Sequence, residues 1–408
     1  MPTATSQDHS RRLPSGNACF LGLHLPVGAL GASGVASSVA LDTVAPFPDF
    51  AALEGTVTNY FRGSESLNDV RAVKVRRCAG STRTALERKG SVQPRRNAKV
   101  IPPKLDRRRP MKLPTHNRYD YVPINRRKDY TWPGDKRLAI YFCNNIEYFA
   151  FGAGQGSDST GGSAPQTQRN YAWRDYGNRV GIWRIFDLFD ELACPLAHNL
   201  NSTILEHHPA IGERMMQRGD EFVAHGRSNS ERQGDMWEED ETRLIGETTE
   251  AIRKFTGKKP AGWMSPWLSQ SRQTLDLLQE AGYVYQCDWP LDDQPIWMRT
   301  RAGKILNMPY PVETNDSPMM LMRLHTAVEL SMTWVDQFDE MLDQSRKGQS
   351  LVCPFVLHTF ILGQPFRQRQ LRRAMQHILQ HRDEIWLAQP GQIAAHVAKL
   401  PAGTVPGS

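Results

Sequence analysis

The sequence predicts an α/β fold, a distorted (β/α)7-8 barrel preceded by a long disordered N-terminal extension. Three observations lead there. From about residue 138 onward, short apolar runs alternate with amphipathic helical segments. Seven or eight such units occupy the length that one α/β barrel needs. Residues 1–110, by contrast, hold no helical or strand period long enough to nucleate a core.

The N-terminal stretch is chemically distinct. Of the 408 residues, the first 110 carry 17 Lys+Arg against 8 Asp+Glu, while residues 111–408 carry 33 against 35. The net charge of +7 therefore belongs to the extension. The body is near neutral and offers no electrostatic case for nucleic acid. Small residues fill Gly28–Ser38, and Arg95, Arg96 and Arg107–Arg109 cluster among prolines. Three readings stay open for 1–110: a disordered tail or over-extended gene start, a targeting segment, or a basic binding arm. Arg11 and Arg12 precede the weakly apolar stretch Phe20–Leu41, but Pro26 and many Gly and Ser interrupt it. A cytoplasmic location is expected unless that segment directs export or organelle import.

The barrel is expected over 111–400 and a short disordered tail over 401–408. The expected strands are Leu138–Cys143, Pro195–Leu200, Glu221–Ala224, Gly262–Ser265, Val284–Asp288, Ile305–Pro309, Leu351–Leu357 and Ile385–Ala388. Two helices between them are clear. Trp334, Val335, Phe338, Met341 and Leu342 form one apolar face, and Leu371, Ala374, Met375, Ile378 and Leu379 form another. No run of 18 apolar residues exists, so no membrane-spanning helix is expected. No Gly-x-Gly-x-x-Gly follows the first strand, so a dinucleotide site is unsupported. The six cysteines form no Cys-x-x-Cys pair, which argues against a thiolate zinc site and a disulfide framework.

Barrel enzymes place their chemistry at the C-terminal ends of the strands. Those ends are rich in polar groups here: Asn145 and Glu147; His225 and Asn229; Trp267; Asp288 and Asp292; Glu313, Asn315 and Asp316; and His358. A loop after the first strand adds Arg174 and Tyr176. Singly, each has a bland reading as a cap, a turn residue or a structural histidine. Together, six of eight strand ends converge on one mouth, more ionisable groups than a face built for stability needs.

These segments resemble the polysaccharide deacetylase (NodB-homology) superfamily, and within it the metal-independent, allantoinase-like branch. The resemblance spans about Tyr119 to Val397. It rests on Asn145-Ile146-Glu147, Tyr176–Arg184, Ala224-His225-Gly226, Asp288-Trp289 with Asp292–Pro295, Glu313 with Asn315-Asp316, and His358 with Gly363–Arg367. Metal-dependent members open with Thr-Phe-Asp-Asp-Gly and pair a metal-binding Asp with two histidines. On that pattern Glu147 takes the base position and Tyr148 the metal-binding one. His225 matches the first histidine, and Asn229 stands where the second belongs. The usual Arg-x-Pro-Trp is Met264-Ser265-Pro266-Trp267. One ligand of three survives, short of what a zinc site requires. No metal is therefore expected, the alternative being a single divalent ion such as zinc at His225.

The resemblance implies hydrolysis of a non-peptide carbon–nitrogen bond in a small amide, ureide or N-acyl compound. Glu147 is the expected base and His358 the expected acid. His225 and Asn229 are expected to donate hydrogen bonds to the carbonyl oxygen. Asn145, Arg174, Tyr176, Trp267, Asp288, Asp292, Glu313, Asn315 and Asp316 are expected to hold the substrate. The rivals are a metal-dependent carbohydrate deacetylase and an inactive ligand-binding barrel. The expected partner is the small-molecule substrate, with neither nucleic acid nor membrane, and a homo-oligomer is expected. If residues 1–110 contribute nothing to the barrel, a chain starting at Met111 will melt at the same temperature as the full chain. A loss of many degrees in a thermal melt would show that the extension packs on the body.

Overall fold

A computed structural model describes residues 113–153 and 166–408. The extension expected over 1–110 lies outside the described residues. The strands are β1 (Leu138–Ile146), β2 (Ala197–Leu200), β3 (Glu221–Ala224), β4 (Gly262–Trp263), β5 (Tyr285–Gln286), β6 (Ile296–Arg299), β7 (Lys304–Asn307), β8 (Leu351–His358) and β9 (Ile385–Leu387). The helices are α1 (Gln168–Tyr176), α2 (Ile182–Glu191), α3 (Thr203–His207), α4 (Pro209–Arg218), α5 (Glu238–Thr256), α6 (Thr274–Glu280), α7 (Ala327–Arg346), α8 (Thr359–Leu362), α9 (Pro365–Leu379) and α10 (Pro390–Val397).

The strands form one curled sheet in the order β6-β7-β5-β4-β3-β2-β1-β8, and β9 also pairs with β1. Every expected strand is present, and every pairing is parallel except β6 with β7. The antiparallel β6 was not anticipated, because four residues after Pro295 make a weak period. It joins β7 through a turn in which Thr300 N–H donates to the Gly303 carbonyl. The barrel is distorted in a specific way. After β7 the chain returns to the far edge only as a single bridge, Asn315 to Val356. That bridge lies one residue before Asp316 and two before His358, so the gap in the sheet borders the site.

β1 and β8 are buried along their whole lengths. Strands covered on both faces carry continuous rather than alternating apolar runs, as Leu138–Cys143 and Leu351–Leu357 do. β9 pairs with the first half of β1, at Leu138–Ile140, and β2 with the second half, at Cys143–Ile146. The C-terminal end of β1 is thereby left between β2 and β8, which aims Glu147 at His225 on one side and His358 on the other.

α7 begins at a capping box. The Thr326 hydroxyl accepts from Glu329 N–H, and the Glu329 carboxylate accepts from Thr326 N–H. Its buried stripe, Leu330, Trp334, Phe338, Met341 and Leu342, packs beside Leu371, Ala374, Met375 and Ile378 of α9. Each such side chain contributes about 1.5–3 kcal/mol on burial. The C-terminal residues differ from expectation. Thr404 and Val405 are buried, and the Pro406 carbonyl accepts from Trp297 N–H at 2.9 Å. Residues 401–408 cover β6 rather than trailing as a tail. Among the described residues no helix is long and apolar enough to cross a membrane.

One contact places the helices around the site. A wide turn at Gly177–Gly181 joins α1 to α2 and lies directly against α8. A methyl group added at Gly181 would sit 2.1 Å from the Thr359 carbonyl oxygen, and one at Gly363 would sit 2.3 Å from the Gly181 Cα. Only glycine permits this backbone approach. It holds α1, which carries Arg174, against the segment that follows His358.

Candidate functional site

At the C-terminal end of the sheet is a cavity of about 280 Å³. Glu147, Arg174, His225, Asn229, Asn315, Ser317 and His358 supply its polar lining. Met264, Trp267, Leu268, Val312, Leu321, Met322 and Phe360 supply apolar walls.

Glu147 follows β1 and is only 9% exposed. Its Oε1 accepts from Asn229 Nδ2 at 2.6 Å and lies 3.5 Å from His358 Nε2 and 4.0 Å from His225 Nε2. Arg174 Nη1 approaches Oε2 to 3.9 Å. Burial pushes this carboxyl up, but His358, Arg174 and His225 outweigh it and hold it below its ordinary value. The group is therefore ionised at neutral pH.

His358 ends β8. Its Nδ1–H donates to Asp316 Oδ1 at 2.6 Å, and its backbone N–H donates to Asp316 Oδ2 at 2.8 Å. Both oxygens of Asp316 are thus committed to one residue, which fixes the ring's orientation. Burial lowers the imidazole's pKa, but the charges of Asp316 and Glu147 prevail and push it up to about 10. An imidazolium with its Nε2–H toward Glu147 is the state this arrangement favours.

His225 has the opposite character. Its Nδ1 donates to the Met264 carbonyl at 2.7 Å. A carbonyl only accepts, so the neutral ring carries its lone pair on Nε2. Among the described residues that nitrogen is buried without a hydrogen-bond partner within reach, as is Asn229 Oδ1. Burial keeps the ring's pKa below its usual value. The expectation that His225 and Asn229 donate to a carbonyl oxygen is corrected: His225 offers an acceptor, and the amide N–H₂ of Asn229 faces Glu147. Their free atoms are both acceptors.

Arg174 is 6% exposed, lies with Cζ 4.0 Å from the Phe149 ring centroid, and has Phe360 at 5.1 Å. Trp267 lines the cavity from a left-handed backbone, φ +63°, and its indole N–H donates to the Asn229 carbonyl at 2.9 Å. Asn315 also lines the cavity, but its Oδ1 accepts from Ser317 N–H.

The remaining expected substrate contacts lie elsewhere. Asn145 is buried within the sheet, bonded to Asn199, Tyr310 and the Leu357 carbonyl. Tyr176 accepts from Arg184. Asp288 is pinned by the backbone N–H and hydroxyl of Ser265 and by Gln270, and burial pushes its pKa up to about 6. Asp292 forms a two-point ion pair with Arg127, and Glu313 pairs with Arg323 on the exposed rim. Asp316 reaches the cavity only through His358. The strand-end rule collects polar residues without telling those that point inward from those that tie loops together. The apolar walls Leu321, Met322 and Phe360 were missed, because in a sequence they look like core.

The donor set fits a divalent metal poorly. Tyr148 turns its ring away to stack on His207, 4.9 Å between centroids. The one carboxylate at hand already has a protonated His358 and Arg174 beside it. Among the described residues no group of three His, Cys, Asp or Glu side chains is arranged to hold a metal.

The comparisons with known proteins agree with this architecture. A family model described as polysaccharide deacetylase matches residues 171–286. The crystal structure of Puue allantoinase superposes with a TM-score of 0.60 at 25% identity, covering 66% of this chain and 93% of that one. Over these stretches the chain is similar to the polysaccharide deacetylase (NodB-homology) superfamily. The relatives and solved structures it resembles are named as deacetylases and as an allantoinase. A Schizosaccharomyces pombe relative carrying the same family name is 26% identical over 244 residues, 56% of this chain and 76% of its own. Peptidoglycan deacetylase of Helicobacter pylori is 22% identical over 245 residues, 52% of this chain and 82% of its own.

Asp292 separates the two classes of strand-end carboxylate in this protein. Losing one partner of a buried ion pair costs about 3–5 kcal/mol. Asp292→Ala will lower the unfolding free energy by about that amount in urea titrations and leave KM unchanged.

Proposed function

We propose that the protein hydrolyses a small amide or ureide without a metal, with Glu147 as general base and His358 as general acid. The observation that carries this reading is the facing pair itself. An ionised carboxylate and an imidazolium held by Asp316 meet at 3.5 Å inside one small cavity. A cavity of about 280 Å³ suits one small molecule. Its walls of Met264, Leu321, Met322 and Phe360 offer nothing to the many hydroxyls of a sugar chain, and each hydroxyl buried unpaired costs binding. The unpartnered acceptors His225 Nε2 and Asn229 Oδ1 suit substrate N–H groups, of which a ureide has more than one.

The chemistry runs in two steps. Glu147 removes a proton as a water oxygen bonds to the carbonyl carbon, whose π pair moves to oxygen. The tetrahedral adduct then collapses and the carbon–nitrogen bond breaks. His358 delivers its Nε2 proton to the departing nitrogen. Asp316 keeps the ring oriented and offsets its charge throughout.

The test is a turnover screen over allantoin, hydantoin, succinimide and N-acetylglucosamine. Glu147→Gln keeps size and hydrogen bonding but takes no proton, so kcat should fall about 10²–10⁴-fold with little change in KM. Because the folded His358 pKa lies near 10, the acid form persists through neutrality and is lost as pH rises through that value. The kcat/KM profile should therefore stay level across neutral pH and decline toward pH 10. A Glu147→Gln enzyme with wild-type kcat would end the reading. Metal-independence is checked separately: elemental analysis should find well under one equivalent, and activity should survive prolonged EDTA. Stoichiometric zinc whose removal abolishes turnover would favour the metal-dependent deacetylase.

A further inference from the structure

Arg174 stands out once the base and acid have been assigned. It is almost fully buried, yet no hydrogen bond links its guanidinium to any described residue, and its Nε is enclosed with no partner. Glu147 Oε2, at 3.9 Å from Nη1, is too far to accept one. A buried guanidinium with its N–H donors unspent is costly unless something arrives to use them. Stability alone does not account for such a residue, because an apolar side chain would pack against Phe149 and Phe360 at no such cost.

The side chain is also held ready. The guanidinium sits 4.0 Å from the Phe149 centroid and 5.1 Å from that of Phe360. This aromatic contact limits the motion of the plane while leaving its edge free. Its helix is locked to the segment after His358 by the glycine contact between Gly181 and Gly363. The acid and this cation are thus set by one piece of packing. They line the cavity together with Glu147. Of the other groups near the base, Asn229 Nδ2 gives one of its two N–H groups to Glu147, and His225 presents a lone pair.

We infer that Arg174 is a catalytic residue that takes up the negative charge developing on the scissile carbonyl oxygen. The inference rests on the hydrolase reading above and completes its balance. As water adds, the carbonyl π pair settles on oxygen, and the Arg174 N–H groups hydrogen-bond that oxyanion. When the pair returns and the carbon–nitrogen bond breaks, those bonds weaken again. Arg174 neither gains nor loses a proton. Fixed donors in a water-poor site are worth most where charge appears only in the transition state.

The test uses Arg174→Gln and Arg174→Lys in the full chain, on whichever screen compound turns over. Removing one such donor costs about 10²–10³-fold in kcat. Arg174→Gln should show that loss with KM within a few-fold, and Arg174→Lys should recover part of it. Added guanidinium chloride should raise the rate of Arg174→Ala, which a purely structural role would not allow. A binding readout stands apart from turnover. Methylphosphonate, a tetrahedral oxyanion, should bind the Glu147→Gln protein and bind the Glu147→Gln/Arg174→Gln protein at least tenfold more weakly by calorimetry. Should Arg174→Gln not fold, the lysine variant carries both measurements. A raised KM with kcat intact would overturn the inference, assigning Arg174 to ground-state binding of the substrate. So would equal methylphosphonate affinity with and without the guanidinium. Failure of the hydrolase reading looks different: Glu147→Gln would then keep its activity whatever Arg174 does.

Discussion

Everything around the site answers to one buried charge. Glu147 lies at the end of a strand buried along its whole length, and an ionised carboxylate there is costly without compensation. Compensation comes from three directions: His358 from β8, Asn229 from the loop after β3, and Arg174 from α1. His358 in turn is charged because Asp316, which takes both its ring and backbone N–H groups, lies beside it together with Glu147. The bridge between Asn315 and Val356 closes this chain of dependence, since it carries Asp316 to the far edge of the sheet. The break in the barrel is where His358 is held in place.

The same packing explains why the residues act in concert. The Gly181–Gly363 contact leaves no room for adjustment between α1 and α8. Arg174 cannot move without disturbing the backbone that follows His358. A loop-borne cation would spend binding energy on becoming ordered, whereas this one is ordered by folding. The neutral His225, tethered to Met264, leaves the opposite wall without charge. The cavity thus has an acceptor side and a cationic side, with the carboxylate between them.

Much of the fold could be read directly from the chain. Strands buried on both faces are unbroken apolar runs, and helices that lie on a sheet carry a 3.6-residue stripe. Both signals are local and strong from Leu138 to Val397. β6 escaped because an antiparallel edge strand of four residues has almost no period. The C-terminal residues escaped because their packing depends on partners such as Trp297, more than a hundred positions away. Among strand-end residues, Glu147, His225 and His358 lie together at the cavity. Asp288 and Asp292, equally polar and equally placed, serve Ser265 and Arg127 instead.

The sequence by itself determined which chemical groups stand at the end of each strand, because strand periodicity and the family motifs are written residue by residue. It determined too which residues, Tyr148 and Asn229, stand where the resemblance places metal ligands, since these are identities and not geometries. Only the tertiary structure decided their protonation and direction. The lone pair of His225 is set by the Met264 carbonyl, the charge of His358 by Asp316 and Glu147, and the unspent donors of Arg174 by the rings of Phe149 and Phe360 packed against it. Each depends on partners brought from distant strands, and a proton's position is an energy balance among them that no single segment encodes.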